Sequence, residues 1–200
     1  MQITNLSKKF LFSLFSILFI GASAQALSLH KTSVILNAPW GMTWLDENHL
    51  LITQKSSEIF MVNIQDYSQT PIKHNIPSVQ YGQGGMLDII SEENNIWVTC
   101  SIEKDGKHTT AIYHAELSGD ALVNEKKIYE ALPYIKSPYH FGSRLEIKGD
   151  YLYASIGERG GGMIAQDPTN SIGTIIRVHK NGDIPDDNPY VDNPNWLPEI

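Results

Sequence analysis

The sequence predicts an all-β protein, a β-propeller seen through part of its ring. Three observations point there. Three segments follow one plan, a glycine, then apolar alternation, then a second apolar run that closes on Thr or Ser. A further alternating strand follows each of them. No long helical period appears after the N-terminal apolar stretch, which removes the α/β classes.

Taken in order, the N-terminus reads as a secretion signal. Lys8 and Lys9 form a positive n-region, residues 10–20 are almost uninterruptedly apolar, and Ala22-Ser23-Ala24 offers a small-x-small cleavage site. A signal over residues 1–24 and a partial propeller domain over residues 25–200 are therefore expected. Ala24-Gln25-Ala26 gives a second cleavage register, and both stay open. The apolar run falls short of the ~20 residues that cross a bilayer. The protein is expected to be secreted or periplasmic, with no membrane insertion once the signal is removed. Cys100, the single cysteine, excludes an internal disulfide and should pack as a small apolar residue behind Ile96-Trp97-Val98. The formal charge of -7 becomes -9 once Lys8 and Lys9 leave, and no basic cluster remains. Nucleic acid and anionic membranes are poor partners for such a surface.

The first repeat pairs residues 40–45 with 50–53 across Asp46-Glu47-Asn48. The second pairs 85–90 with 96–99 across residues 92–95, and the third pairs 142–147 with 151–155 across Lys148-Gly149-Asp150. Each reads as a β-hairpin. The following strands are expected over residues 57–64, 109–117 and 173–179. Thr53, Thr99 and Ser155 close the second runs, at spacings of 46 and 56 residues. A repeat of ~40 to 50 residues with several short strands is a propeller signature. A β-sandwich, the competing all-β fold, gives no reason for it. Without its signal the chain supplies about three and a half blades, fewer than the roughly four at which propellers close. Residues 193–200 read as a loop that stops before another strand, so a fragment with apolar faces uncovered at its open end is expected.

Zinc templates fail, because the seven histidines are scattered and no cysteine pair exists. The glycine-rich stretches Gly82-Gln83-Gly84-Gly85 and Gly157-Glu158-Arg159-Gly160-Gly161-Gly162 lack the lysine of a P-loop, and no G-x-S-x-G is present. Asp183, Asp186, Asp187 and Asn188 could offer oxygen ligands to calcium, but the spacing is not that of an EF-hand and reads better as a solvated turn. His140, set between Pro138 and Gly142 just before a strand, is the candidate for chemistry. Its competing reading is a ring simply hydrogen-bonded within a loop. Gln83 lies on the equivalent loop one repeat earlier, so both should reach one end of a propeller. Arg144 could support them there, or could pair with Glu158 or Asp150.

Four blocks carry a resemblance. They are residues 82–88, His140-Phe141-Gly142-Ser143-Arg144-Leu145, Ala165-Gln166-Asp167, and residues 173–177 followed by 181–190. Together with Pro39-Trp40-Gly41-Met42 they resemble, in the same order, the soluble aldose sugar dehydrogenases that use pyrroloquinoline quinone. The resemblance implies a six-bladed propeller of which this chain covers about the first half. It makes His140 the catalytic base and Gln83 a cofactor contact, with the calcium ligands and remaining cofactor ligands beyond this chain. It implies oxidation of an aldose at its anomeric carbon, with hydride passing to the quinone, calcium polarising the quinone, and an electron acceptor that the residues do not identify. Two departures touch the histidine loop: Ser143 stands where many relatives have glycine, and Tyr139 matches no family role. A non-catalytic propeller that binds a glycan or protein is the alternative. A calcium-dependent lactone hydrolase is disfavoured, because the candidate loops carry Gln83 and His140 where it would need carboxylates.

Overall fold

Alternation becomes pairing in the computed structural model, which describes residues 27–200. Among these, eleven strands form three antiparallel meanders. The first sheet holds β1 (Pro39–Trp44), β2 (His49–Gln54), β3 (Glu58–Asn63) and β4 (Gln69–Ile72). The second holds β5 (Met86–Glu92), β6 (Asn95–Lys104), β7 (Lys107–Ser118) and β8 (Ala121–Glu130). In the third, β9 (Gly142–Lys148) pairs with β10 (Tyr151–Ile156), which pairs with β11 (Ile175–His179). The β10–β11 loop carries a short 3-10 helix, Gly162–Gln166. The expected signal, residues 1–24, lies outside the described residues. Among the described residues no helix is long and apolar enough to cross a membrane.

The first strands of the sheets stand side by side, β1 against β5 and β5 against β9. The three sheets are thus successive blades of a propeller with these strands innermost. The middle blade is buried on both faces, so β6 is apolar or small from Ile96 to Ile102 without a break. Leu51, Ile59, Met86, Val98 and Cys100 fill the core on one side of it, while Trp97, Ile112, Leu152, Ile156 and Ile176 fill the other. The flanking blades bury one face each. Trp40, Met42 and Trp44 stay exposed on the first, and Ile175 on the third.

The residues that mark the sequence repeat have a structural job. In each blade the innermost strand bulges, placing residues 40 and 41 opposite Thr53, 87 and 88 opposite Thr99, and 143 and 144 opposite Ser155. A bulge strands a backbone amide, and buried amides need a partner. The lone hydroxyl opposite supplies it. Thr53 accepts from the Gly41 amide at 2.9 Å, Thr99 from Asp88 at 2.9 Å, and Ser155 from Arg144 at 3.1 Å. Each threonine also donates across to the bulge of the next blade, Thr53 to the Leu87 carbonyl and Thr99 to the Ser143 carbonyl. The hydroxyl closes its own blade and staples it to the next.

Cys100 is fully buried, and burial pushes its thiol up to about 12. Only the thiolate is nucleophilic, so an aromatic disulfide reagent at pH 8 should leave the folded protein unlabelled. Labelling should appear at the urea concentration that unfolds the sheets. Rapid labelling in native buffer would show that the middle blade opens locally.

Candidate active site at the blade mouths

His140 is held in the left-handed region, at φ 50°, by the chain around it. The strand register sets its surroundings. Because β9 and β10 pair Gly142 with Ile156, continuing the ladder two residues past each end brings His140 beside Glu158. Gly157 lies between them and has to be glycine, since a Cβ there would sit 1.9 Å from the His140 carbonyl oxygen.

The imidazole Nδ1 bonds the Glu158 carboxylate. That bond is the first cause holding the Glu158 carboxyl below its ordinary value, so it is ionised at neutral pH. A carboxylate can only accept, so Nδ1 carries the proton of this bond, and in the neutral ring Nε2 then keeps its lone pair. The ring is half exposed, its side chain 53% accessible, so that lone pair faces solvent at the mouth. A basic nitrogen aimed outward and an anion behind it form an oriented general base.

Gln83 is the nearest partner from the previous blade. Its side-chain oxygen accepts the His140 backbone N–H at 2.8 Å, and its own N–H donates to the Pro138 carbonyl at 2.7 Å. With the oxygen occupied, the exposed amide NH2 is left to donate outward. The structure therefore brings Gln83 and His140 to one end. Lys55, from the first blade, reaches the Gly82 carbonyl beside them. The Tyr139 ring is exposed, 6.1 Å from the imidazole between centroids.

Arg144 pairs with neither Glu158 nor Asp150. Its guanidinium bonds Asp88 Oδ1 at 2.9 Å, across from β9 to β5. The other Asp88 oxygen accepts the Leu145 amide at 2.8 Å. Burial raises the Asp88 carboxyl, with the Leu145 amide and Arg144 pulling back toward ionisation. Arg144 thus braces the inner strands rather than touching the imidazole. The acidic loop behaves as a turn: Asp187 pairs with Arg177, and the Asn188 amide donates to the Arg177 and Pro198 carbonyls. Among the described residues no group of three or more His, Cys, Asp or Glu is placed to hold a metal.

Glu158 is the site residue that sequence reasoning missed. The signal was present in the hairpin register, which puts positions 140 and 158 opposite one another, but only for a reader who had already paired Gly142 with Ile156.

Ser143 sits buried at φ 117°, a region favouring glycine. Non-glycine strain of this kind costs on the order of 1–3 kcal/mol. Ser143→Gly, less the entropy of a more flexible unfolded chain, should stabilise the protein by roughly 1 kcal/mol in urea titration. A loss of stability would show that the serine side chain compensates its own strain.

Residues 36–200 match the family described as Glucose / Sorbosone dehydrogenase. The chain belongs to this family. It is 31% identical over 176 residues to the aldose sugar dehydrogenase YliI of Escherichia coli (strain K12), covering 82% of this chain and 47% of that protein. The apo-form crystal structure of the soluble E. coli aldose sugar dehydrogenase matches with a TM-score of 0.77 at 30% identity, covering 82% of this chain and 50% of that one. A PQQ-bound aldose sugar dehydrogenase from Streptomyces coelicolor matches with a TM-score of 0.70 at 23% identity, covering 86% of this chain and 52% of that one, a likeness of fold. The chain spans about half the length of the relatives it matches, in keeping with three of the six blades that the resemblance implied.

Proposed function

We propose that this chain supplies the base-bearing half of an aldose dehydrogenase that uses pyrroloquinoline quinone. The observation that carries the reading is the His140–Glu158 pair, with Nδ1 committed to the carboxylate and Nε2 free at the mouth. The residues fit the cofactor: the Gln83 amide is unspent and exposed beside the free nitrogen, suited to a quinone or carboxylate oxygen. When bound, the quinone supplies a two-electron acceptor for hydride. His140 takes the proton of the anomeric hydroxyl at Nε2 while the C–H pair leaves the same carbon, so the sugar becomes a lactone. Glu158 holds the ring and stabilises the imidazolium that forms. No step is assigned to calcium here: among the described residues no group of three or more His, Cys, Asp or Glu is placed to hold it.

A form extended to the length of the relatives, given quinone and calcium, should reduce a redox dye only when an aldose is added. Lactone hydrolysis in its place would mark a hydrolase, and neither activity a binding propeller. The 200-residue chain alone should bind quinone poorly, since its mouth is lined by three blades. Tight binding in a fluorescence titration of that chain would contradict the half-site reading.

A further inference from the structure

We propose that Arg159 is the positioning residue for His140, a buried guanidinium fork that grips the histidine's backbone while Glu158 grips its ring. The inference rests on the base assignment above and adds a residue to it. Arg159 is only 2% exposed, among the largest fully buried side chains of the protein. One nitrogen, Nη1, donates to the His140 carbonyl at 2.7 Å and to the Gly157 carbonyl at 2.7 Å. Nη2 donates to the Thr110 hydroxyl at 2.6 Å, and that hydroxyl donates on to the Phe141 carbonyl at 2.7 Å. The Phe141 ring lies under the guanidinium, 4.4 Å from Cζ to centroid. The Arg159 amide also donates to the His140 carbonyl, at 3.2 Å.

Every one of these acceptors is a neutral oxygen. A cation taken out of water with no carboxylate bonded to it carries a large desolvation penalty, which the charge of neighbouring Glu158 offsets only in part. Burial does pull Arg159 down to about 10, yet the group stays charged at neutral pH. Nε has no partner among the described residues, so even the hydrogen bonding is incomplete. A neutral side chain would fill this space with less penalty, and a lysine would bring the charge without the planar fork. What the fork does, and they would not, is hold the His140 and Gly157 carbonyls with Nη1 while Nη2, in the same plane, holds the Thr110 hydroxyl. Both carbonyls flank the site. The His140 peptide sits at φ 50° and Arg159 itself at φ 57°, with Gly142 and Ser143 also at positive φ. Such a run of unfavourable torsions persists only where its surroundings over-determine it. Released from the fork, the His140 carbonyl keeps only the longer bond from the Arg159 backbone amide, at 3.2 Å, so the peptide after His140 is held more loosely and Nδ1 loses its fixed reach to Glu158. Consecutive residues just past the end of β10 thus hold the same histidine from opposite sides.

The test uses the extended form and two readouts. In the cofactor-free protein, the hydrogen-bonded Nδ1–H should give a downfield proton resonance, identified by its absence in His140→Asn. In Arg159→Met that resonance should vanish through exchange with water while quinone affinity holds. With quinone bound, kcat should fall on the order of 10²-fold, as for a reacting group displaced by about 1 Å, with KM nearly unchanged. Arg159→Lys should not recover it. Should Arg159→Met fail to fold, Thr110→Val decides, since it keeps the charge and removes one anchor of the fork: the resonance should broaden and kcat should drop. A folded Arg159→Met, or in its place Thr110→Val, with resonance and kcat at wild-type values overturns the proposal. Full turnover by His140→Asn would instead sink the base assignment, and the resonance arm would still report on the clamp.

Discussion

His140→Asn in the extended, quinone-loaded form should lower sugar-dependent dye reduction by about 10² to 10⁴-fold, the span that a positioned general base contributes. Asparagine is the informative replacement. The histidine occupies the left-handed region, where asparagine is among the few tolerated non-glycine residues, so the loop is not asked to refold. An amide cannot take up a proton near neutral pH, so the side chain keeps polarity and loses basicity. Quinone affinity should stay within about threefold, because Gln83 contacts the histidine backbone rather than its ring. Loss confined to kcat would assign the ring to the chemical step. Unchanged turnover would remove His140 from it.

The innermost strands and hairpins were legible because their burial is one-sided or two-sided in a regular way, and period-two alternation records that. The outer strands were not. β4 holds only Gln69 to Ile72 and includes Pro71, which is tolerated on an edge strand because no ladder partner needs its missing donor. β8 is long, but it too is an edge, and its face is largely solvated, so residues 121–130 show little apolar alternation to read. The site divided in the same way. Gln83 and His140 announced themselves on loops at equal places in the repeat. Arg144 found a partner, Asp88, that lies in another blade and could be reached only by knowing which inner strands are neighbours. Glu158 and Arg159 were seen as part of a glycine run. Their separate duties follow from one strand end pointing a carboxylate outward at the ring and a guanidinium inward at the backbone, a distinction that composition does not carry.

Thr99→Val should destabilise the protein by about 3 kcal/mol, far beyond what swapping a hydroxyl for a methyl group of similar size suggests. Thr99 is wholly buried, and its hydroxyl serves backbone groups of two residues that are themselves buried, Asp88 and Ser143. It accepts from the bulged Asp88 amide at 2.9 Å and donates to the Ser143 carbonyl of the next blade at 3.0 Å. Valine fills the volume and leaves both unpaired, each a penalty of roughly 1–3 kcal/mol. Thr99→Ser keeps the hydroxyl and gives up one methyl group, about 1 kcal/mol. Urea midpoints of the three proteins measure the difference, with the slope showing whether unfolding stays a single step. Equal losses for valine and serine would mean that the methyl group, and not the staple, matters. The functional consequence follows from where the staple ends. Ser143 is three residues from His140, at φ 117° and already strained, so freeing its carbonyl loosens the stretch that carries the base. Thr99→Val should therefore weaken the His140–Glu158 contact even though Thr99 lies in the blade before it. The repeat residue that gave away the fold would then also be what couples one blade's packing to the next blade's chemistry.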